Sequence, residues 1–150
     1  MRIGSIVSGL TFLLLSGFAT ADLTPWEDYD VSEEVWSITT VKVDSNMGDA
    51  YLEGLRETWV SGNKVAMELG QIEDWAIYRS DLPESGDFNL LLVVKFAKTE
   101  DLAPNKEKYY EFLEKFTQEK SDSTTEYAQK NYPAMRELTG QYQMRKIDIK

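Results

Sequence analysis

The stretch that most constrains the fold is DFNLLLVVKFAK, residues 87–98. Seven of the eight residues from 90 to 97 are apolar, and only Lys95 is charged. The run is too short to span a membrane and too rich in Val, Leu and Phe for a solvated loop. It therefore predicts a central β-strand that is covered on both faces.

The first 21 residues match a secretory signal peptide. Arg2 supplies a positive start, residues 3–18 are mainly apolar, and Ala19-Thr20-Ala21 is a small-x-small cleavage site. The alternative is an uncleaved membrane anchor, but the Gly and Ser residues within residues 3–18 make this stretch a poor spanning helix. We expect a periplasmic or secreted protein that starts at Asp22 and leaves the membrane after cleavage. The chain has no Cys, which excludes disulfides and a lipid-modified cysteine.

The charge balance restricts the partners. With 26 acidic and 16 basic residues the chain carries −10, so nucleic acid and anionic membrane surfaces are unsuitable. Six of the acidic residues and no basic one lie in residues 22–34, which predicts a solvated, extended N-terminal arm. We expect Trp26 to pin that arm to the domain by burial. The arm lacks the glycine turn and final glutamate of a calcium loop, so no metal site is predicted.

Residues 35–150 are expected to form a single domain. Residues 35–44 are rich in β-branched side chains and predict its first strand. A helix follows, with Asn46 as N-cap, an end near Leu69 and Gly70 as its stop. Gly62 and Asn63 weaken its middle, where we expect a bend or a close backbone contact. The side chains that cover a sheet form one stripe: Leu52, Leu55, Trp59, Ala66 and Leu69.

The second half of the domain predicts two more strands and a broken helix. Residues 72–80 form a strand, and the turn-rich residues 81–86 join it as a hairpin to the apolar strand. A helix starts with Pro104 as its cap or in its first turn, breaks over residues 121–125 and restarts with a capping box of Ser123 and Glu126. It ends near Asn131, a short turn over residues 134–138 ends at Gly140, and residues 141–149 form an edge-like last strand.

This order of elements predicts an α+β protein with the ferredoxin-like βαββαβ topology. The four strands form an antiparallel sheet in the order 4-1-3-2, with both helices on one face. In the apolar strand, alternation directs Leu90, Leu92, Val94 and Phe96 toward the helices. Asn89, Leu91, Val93 and Lys95 then lie on the open face, where an apolar surface calls for a second copy packed sheet to sheet.

Several short motifs follow one another along the domain in a recognisable order. They are Val41-Lys42-Val43, Gly48-Asp49-Ala50-Tyr51-Leu52, Thr58-Trp59, Phe88-Asn89-Leu90, Tyr127 with Tyr132, and Arg136-Glu137-Leu138-Thr139-Gly140. In this order they resemble the dimeric α+β barrel superfamily, and most of all its uncharacterised exported bacterial members related to antibiotic-biosynthesis-monooxygenase-type domains. The resemblance implies a homodimer through the open sheet face. It also implies that any pocket lies between sheet and helices, where enzymatic members keep a His, an Asn or a Trp.

The chain contains no His, which removes the commonest metal and haem ligand and the usual base near neutral pH. No cofactor is predicted, and Asn89 is the single weak candidate for a catalytic group. Five residues are candidates for ligand binding because they combine apolar bulk with a hydrogen-bonding tip: Trp59, Trp75, Tyr78, Asn89 and Tyr142. All five could equally be core or interface residues with satisfied polar ends.

Two further polar residues carry structural expectations. Lys95 is expected to reach the rim of the open face or to pair with a carboxylate, and Arg136 to tie the last helical turn to carboxylates or carbonyls.

Two functions stay open. The first is a non-catalytic exported homodimer that binds a small apolar or aromatic molecule or acts in interactions. The second is a cofactor-independent monooxygenase or isomerase that uses Asn89 with a Tyr or Trp. The second requires the Asn89 side chain to point into a closed cavity.

Overall fold

A computed structural model describes residues 22–82 and 85–150. The proposed signal peptide lies outside the described residues. Strand β1 (Tyr29–Val31) and strand β2 (Val35–Val43) are followed by three consecutive helical segments: α1 (Gly48–Leu55), a π-helix (Arg56–Val60) and α2 (Ser61–Glu68). Strands β3 (Asp74–Arg79) and β4 (Leu90–Phe96) come next.

The C-terminal half is helical before it returns to the sheet. A 3₁₀ turn (Thr99–Leu102) leads to α3 (Lys106–Phe116) and α4 (Gln118–Asn131). A second 3₁₀ turn (Tyr132–Ala134) precedes β5 (Arg136–Met144) and β6 (Ile147–Ile149).

The main sheet has four antiparallel strands in the order β3-β4-β2-β5. Read from the β5 edge, this is the neighbour order that the sequence predicts, and the ferredoxin-like α+β fold is confirmed. The apolar strand β4 pairs with β2 from Val41↔Leu90 to Val35↔Phe96 and with β3 on its other side. The two least polar strands therefore occupy the centre of the sheet.

The core lies between the sheet and the helices. Buried side chains of the sheet meet buried residues of α1 and the second 3₁₀ turn there: Val41, Val43, Leu90, Leu92, Tyr51, Leu55 and Tyr132. Leu90 and Leu92 thus face the helices, as the alternation along β4 predicts.

The first helix differs from the prediction in three respects. Its N-cap is Met47 without a side-chain cap bond, because Asn46 has a left-handed backbone (φ 66°) and lies before the cap. The irregularity is the π-helix rather than a bend at Gly62. The close backbone contact is at Gly54, where a Cβ would lie 2.9 Å from the Tyr127 ring. Gly70, with φ 66°, ends the helix as expected.

The predicted break over residues 121–125 is wrong. Helix α4 runs through this segment, and the chain instead breaks at Thr117, whose φ is 69° and whose hydroxyl accepts from the Lys120 N–H. Within α4, the Ser123 hydroxyl donates to the Lys120 carbonyl and the Thr125 hydroxyl to the Ser121 carbonyl. Ser and Thr residues in a sequence favour a helix cap, but here these hydrogen bonds engage their hydroxyls inside a continuous helix.

The last strand begins five residues earlier than predicted. Residues 136–138 pair with β2 in place of the expected helical turn, and a β-bulge separates the Thr40↔Gly140 and Val41↔Leu138 pairs. The strand stops at Met144, and a separate strand, β6, pairs with β1 in a second, two-stranded sheet. The N-terminal arm is thus tied to the C-terminus, while Trp26 is 71% exposed rather than buried.

Candidate functional site

The open face of the sheet carries a continuous apolar surface. Pairing places side chains from all four strands on this face, and we name the following set the open-face patch: Trp36, Ile38, Ala76, Tyr78, Leu91, Val93, Tyr142 and Met144. Val93 is already buried at its centre, whereas Tyr78, Tyr142 and Met144 are 57%, 48% and 48% exposed. Apolar side chains therefore stay in contact with water along both edges of the patch.

Two predicted ligand-binding residues belong to this patch. Tyr78 lies on edge strand β3 and Tyr142 on edge strand β5, so three strand spacings, or about 14 Å, separate their strands. The Tyr142 ring lies over Gly140, where a Cβ would come within 2.8 Å of the ring. The two phenols thus flank the patch and do not converge on one point.

One end of the open face carries a compensated charge. The Lys95 ammonium lies 2.6 Å from the Glu34 carboxylate and 5.6 Å from the centre of the Trp36 ring. The hydrogen bond to Glu34 is the main cause of the raised pKa of Lys95. The expectation that Lys95 pairs with a carboxylate at the rim is thus confirmed within the chain itself.

The side-chain amide of Asn89 is hydrogen-bonded to the backbone of β2. Its Oδ1 accepts from the Val43 N–H at 2.8 Å, and its Nδ2 donates to the Val43 carbonyl at 2.8 Å. Its own N–H donates to the Val41 carbonyl at 3.0 Å. The side chain therefore imitates one further backbone pair at the end of the sheet, and both ends of its amide are engaged.

Trp59 and Trp75 pack against each other on the helical side of the sheet. Their ring centroids are 5.7 Å apart with planes at 89°, the edge-to-face geometry that aromatic pairs favour. Trp59 comes from the π-helix and Trp75 from β3, so the pair fastens the helical layer to an edge strand. The five predicted ligand-binding residues thus occupy three separate regions of the domain.

A buried cluster that sequence reasoning missed joins the π-helix to the start of β5. The Arg136 guanidinium lies 5.9 Å from the Tyr51 ring centre and 5.3 Å from that of Tyr132. The two rings meet edge to face at 5.1 Å. Among residues 22–82 and 85–150, Arg136 has no carboxylate within ion-pair distance and donates no side-chain hydrogen bond to a carbonyl, and it lies in β5. The expectation that it ties the last helical turn to carboxylates or carbonyls is therefore wrong. The role of Arg136 is to stack on buried rings.

Hydroxyl groups complete this cluster. The Thr58 hydroxyl donates to the Gly54 carbonyl at 2.9 Å and lies 2.5 Å from the Tyr132 hydroxyl, so Tyr132 acts as donor to Thr58. Tyr51 is fully buried, and within residues 22–82 and 85–150 its hydroxyl and the Arg136 Nε have no hydrogen-bond partner of good geometry. Burial raises the pKa of Tyr51 and of Tyr132, and the Arg136 cation opposes this in both. Both phenols are therefore neutral near pH 7.

A cleft of about 480 Å³ lies at the end of the sheet where β2 and β3 finish and α1 begins. Its wall includes Lys42, Arg79 and Asn89. The Lys42 ammonium donates to the Gly86 carbonyl at 2.9 Å, and the Arg79 guanidinium lies 3.3 Å from the Asp49 carboxylate. The side chains of Lys42, Arg79 and Asn89 are therefore each bound to the protein itself.

In the described part of the chain no group of three or more acidic, His or Cys side chains could hold a metal ion. No helix of that part is long and apolar enough to cross a membrane.

No protein-family model matches the chain, and no curated protein matches it. Among solved structures it is similar to HapK from Hahella chejuensis, with 11% identity, a TM-score of 0.43, and coverage of 75% of this chain and 91% of that one. A NIPSNAP-like domain protein from Burkholderia xenovorans has 13% identity, a TM-score of 0.44 and coverage of 79% and 85%. A dimeric ferredoxin-like protein of unknown function from Bacteroides fragilis has 11% identity, a TM-score of 0.42 and coverage of 81% and 100%.

These similarities assign no activity to the chain, and the dimeric state is a property of the Bacteroides fragilis protein. The strand order of the sheet confirms the ferredoxin-like fold that the resemblance to the dimeric α+β barrel superfamily implies.

Proposed function

We propose that the protein is an exported, non-catalytic homodimer whose subunits pack sheet to sheet through the open-face patch. The observation that carries this proposal is the composition of the patch, in which eight apolar side chains from four strands form one face. In a single domain the helices cover only the opposite face of the sheet, so this face stays exposed to water. A second copy offers the same surface, which makes the contact isologous.

Charge arrangement supports a second copy as the occupant. The chain carries −10, so two subunits repel each other wherever carboxylates meet. The patch contains no charged residue, and the nearby Lys95 is neutralised by Glu34 at 2.6 Å. Two copies can therefore approach face to face without bringing unpaired carboxylates together at the centre.

We further propose that the dimer binds a small apolar or aromatic molecule between the sheets. Tyr78 and Tyr142 support this because each presents a half-exposed ring with a phenolic tip at an edge of the patch. Ala76 lies two residues from Tyr78 on the same face of β3, and its small side chain leaves the adjacent ring open. A flat ligand at this edge would contact the Tyr78 ring and donate to, or accept from, its hydroxyl.

Cofactor-independent oxygenation or isomerisation through Asn89 is the alternative. It needs an amide that is free to bind a substrate, whereas both amide atoms of Asn89 bond to Val43 at 2.8 Å. The geometry therefore favours a structural role for Asn89 and a binding or interaction role for the protein.

The test replaces Tyr142 by Asp in the mature protein. Tyr142 is 48% exposed, so a subunit tolerates the change, while an unpaired carboxylate inside a sheet-to-sheet contact is strongly unfavourable. Sedimentation velocity at about 10 µM is expected to show a dimer for the wild type and a monomer for Tyr142→Asp.

The matched control is Tyr110→Asp, because Tyr110 is 58% exposed on α3, outside the patch. It is expected to remain dimeric. A dimeric Tyr142→Asp protein with native circular dichroism would exclude this interface.

A further inference from the structure

The two-stranded sheet formed by β1 and β6 is amphipathic, and we name it the terminal ribbon. Pairing places Tyr29 opposite Ile149 and Val31 opposite Ile147 on one face, with Asp30 opposite Asp148 on the other. Ion pairs cover the polar face, at 3.0 Å from Lys150 to Asp30 and 2.6 Å from Lys146 to Asp148. On the apolar face Tyr29 and Val31 are half-buried, whereas Ile147 and Ile149 are 48% and 75% exposed.

The ribbon is held in a defined position although it does not belong to the main sheet. The Arg145 guanidinium donates to the Ser32 carbonyl at 2.9 Å and to the Glu33 carbonyl at 2.7 Å, and it also contacts the Thr99 hydroxyl. The Ser32 N–H donates to the Lys146 carbonyl at 3.0 Å. An isolated two-stranded ribbon is marginal in water, so this anchoring keeps an exposed apolar face in place.

The ribbon is continuous with the open-face patch. Strand β1 leads into β2 and β6 follows β5, and the β2–β5 ladder ends at Trp36↔Met144, which are both patch residues. The two strands that carry half of the patch therefore also carry the ribbon beyond the end of the sheet. A molecule that is bound to the patch at this end therefore lies beside the ribbon.

From these observations we infer that the terminal ribbon contacts the second subunit of the dimer, with Ile147 and Ile149 packed against it. This inference rests on the proposed sheet-to-sheet dimer and adds a second contact region to it. An anionic membrane surface is a poor occupant because the adjoining arm is acidic, with six carboxylates in residues 22–34.

Site-specific cross-linking tests the inference on the whole mature protein. The chain has no Cys, so an Ile149→Cys protein carries a benzophenone maleimide label at one position only. Irradiation is expected to give a covalent dimer whose cross-linked peptide belongs to the second subunit. The control is Lys130→Cys, on an exposed position of α4 in the helical layer, which is expected to stay monomeric in denaturing gels.

The affinity of the dimer gives a second readout. Ile147→Asp combined with Ile149→Asp is expected to raise the dimer Kd about 100-fold, since the contacts of two exposed apolar side chains are lost in each subunit. Asp148→Asn, on the opposite face of β6, is expected to change the Kd less than about threefold.

The outcomes separate the two proposals. A dimeric wild type with an unchanged Kd in the double Asp variant and no cross-link from position 149 overturns the ribbon contact and leaves the sheet-to-sheet dimer standing. A wild type that sediments as a monomer overturns both.

Discussion

Replacing Asn89 by Ala tests whether this residue acts as a structural clamp. The substitution removes two hydrogen bonds of 2.8 Å to the Val43 backbone and leaves the N–H and carbonyl of a buried residue without these partners. Each such bond contributes about 0.5–1.5 kcal/mol net, and an orphaned buried group costs about 1–3 kcal/mol. Because the sheet end is only partly shielded from water, we expect a loss of about 2–3 kcal/mol in the free energy of unfolding.

The assay is urea unfolding followed by circular dichroism at one fixed protein concentration, since dimerisation makes stability depend on concentration. Gln129→Ala, on an exposed position of α4, is the control and should lie within about 0.5 kcal/mol of the wild type. Asn89→Asp keeps the acceptor for the Val43 N–H but turns a carboxylate oxygen toward the Val43 carbonyl. It should therefore be destabilised at pH 7 as well.

A stability of Asn89→Ala within about 0.5 kcal/mol of the wild type would refute the clamp. Asn89 would then again be a candidate functional group, because a catalytic amide can be removed without a large loss of stability.

Two further predictions concern packing and pH. Gly54→Ala places a Cβ 2.9 Å from the Tyr127 ring and 3.0 Å from the Tyr132 ring, so we expect a loss of about 1–3 kcal/mol. In Gly62→Ala the Cβ meets only Phe112 at 3.8 Å, and helix propensity should stabilise the protein by up to about 1 kcal/mol. Thermal unfolding of the two variants checks both expectations. Equal effects of Gly54→Ala and Gly62→Ala would contradict the close packing at Gly54. The hydrogen bond from Lys108, at 2.8 Å, is the main cause of the lowered pKa of Asp101. A depressed carboxyl pKa stabilises the folded state above the unfolded value of about 3.9 and ceases to do so as pH falls through the folded value. Lys108→Met should therefore be less stable than the wild type at pH 6, and the difference should shrink as the pH falls below about 3.9. A difference that does not shrink at acid pH would argue against this ion pair.

The layout of the sheet could be predicted because two independent signals agree. The apolar run of β4 identifies a central strand, and the helix between β2 and β3 requires a crossover whose topology leaves few arrangements. Alternation along β4 also separates Leu90 and Leu92, which face the helices, from Leu91 and Val93 on the open face. The two patch residues on β4, Leu91 and Val93, were therefore predictable from the sequence of that strand.

Local polar chemistry caused the errors in the C-terminal half. The SDSTT segment has the composition of a break, yet hydroxyls such as those of Ser123 and Thr125 bond to carbonyls within their own helix. The actual break is a single residue, Thr117, with a left-handed backbone, a conformation for which threonine gives no sequence signal.

The buried cluster and the terminal ribbon depend on contacts between distant parts of the chain. Tyr51, Tyr132 and Arg136 meet across about 80 residues, and no local spacing marks them as partners. Likewise, the acidic composition of residues 22–34 indicates a solvated arm, but β1 within it pairs with β6 at the other terminus. The π-helix at residues 56–60 is the local irregularity that lies beside the cluster.

The central claim is that two copies of the chain cover each other's open sheet face. Native mass spectrometry of the mature protein purified from its own compartment tests it most directly. We predict a species of twice the mature subunit mass, together with any small apolar or aromatic molecule retained between the sheets. A single species at the subunit mass, at about 10 µM and with native circular dichroism, would contradict the account.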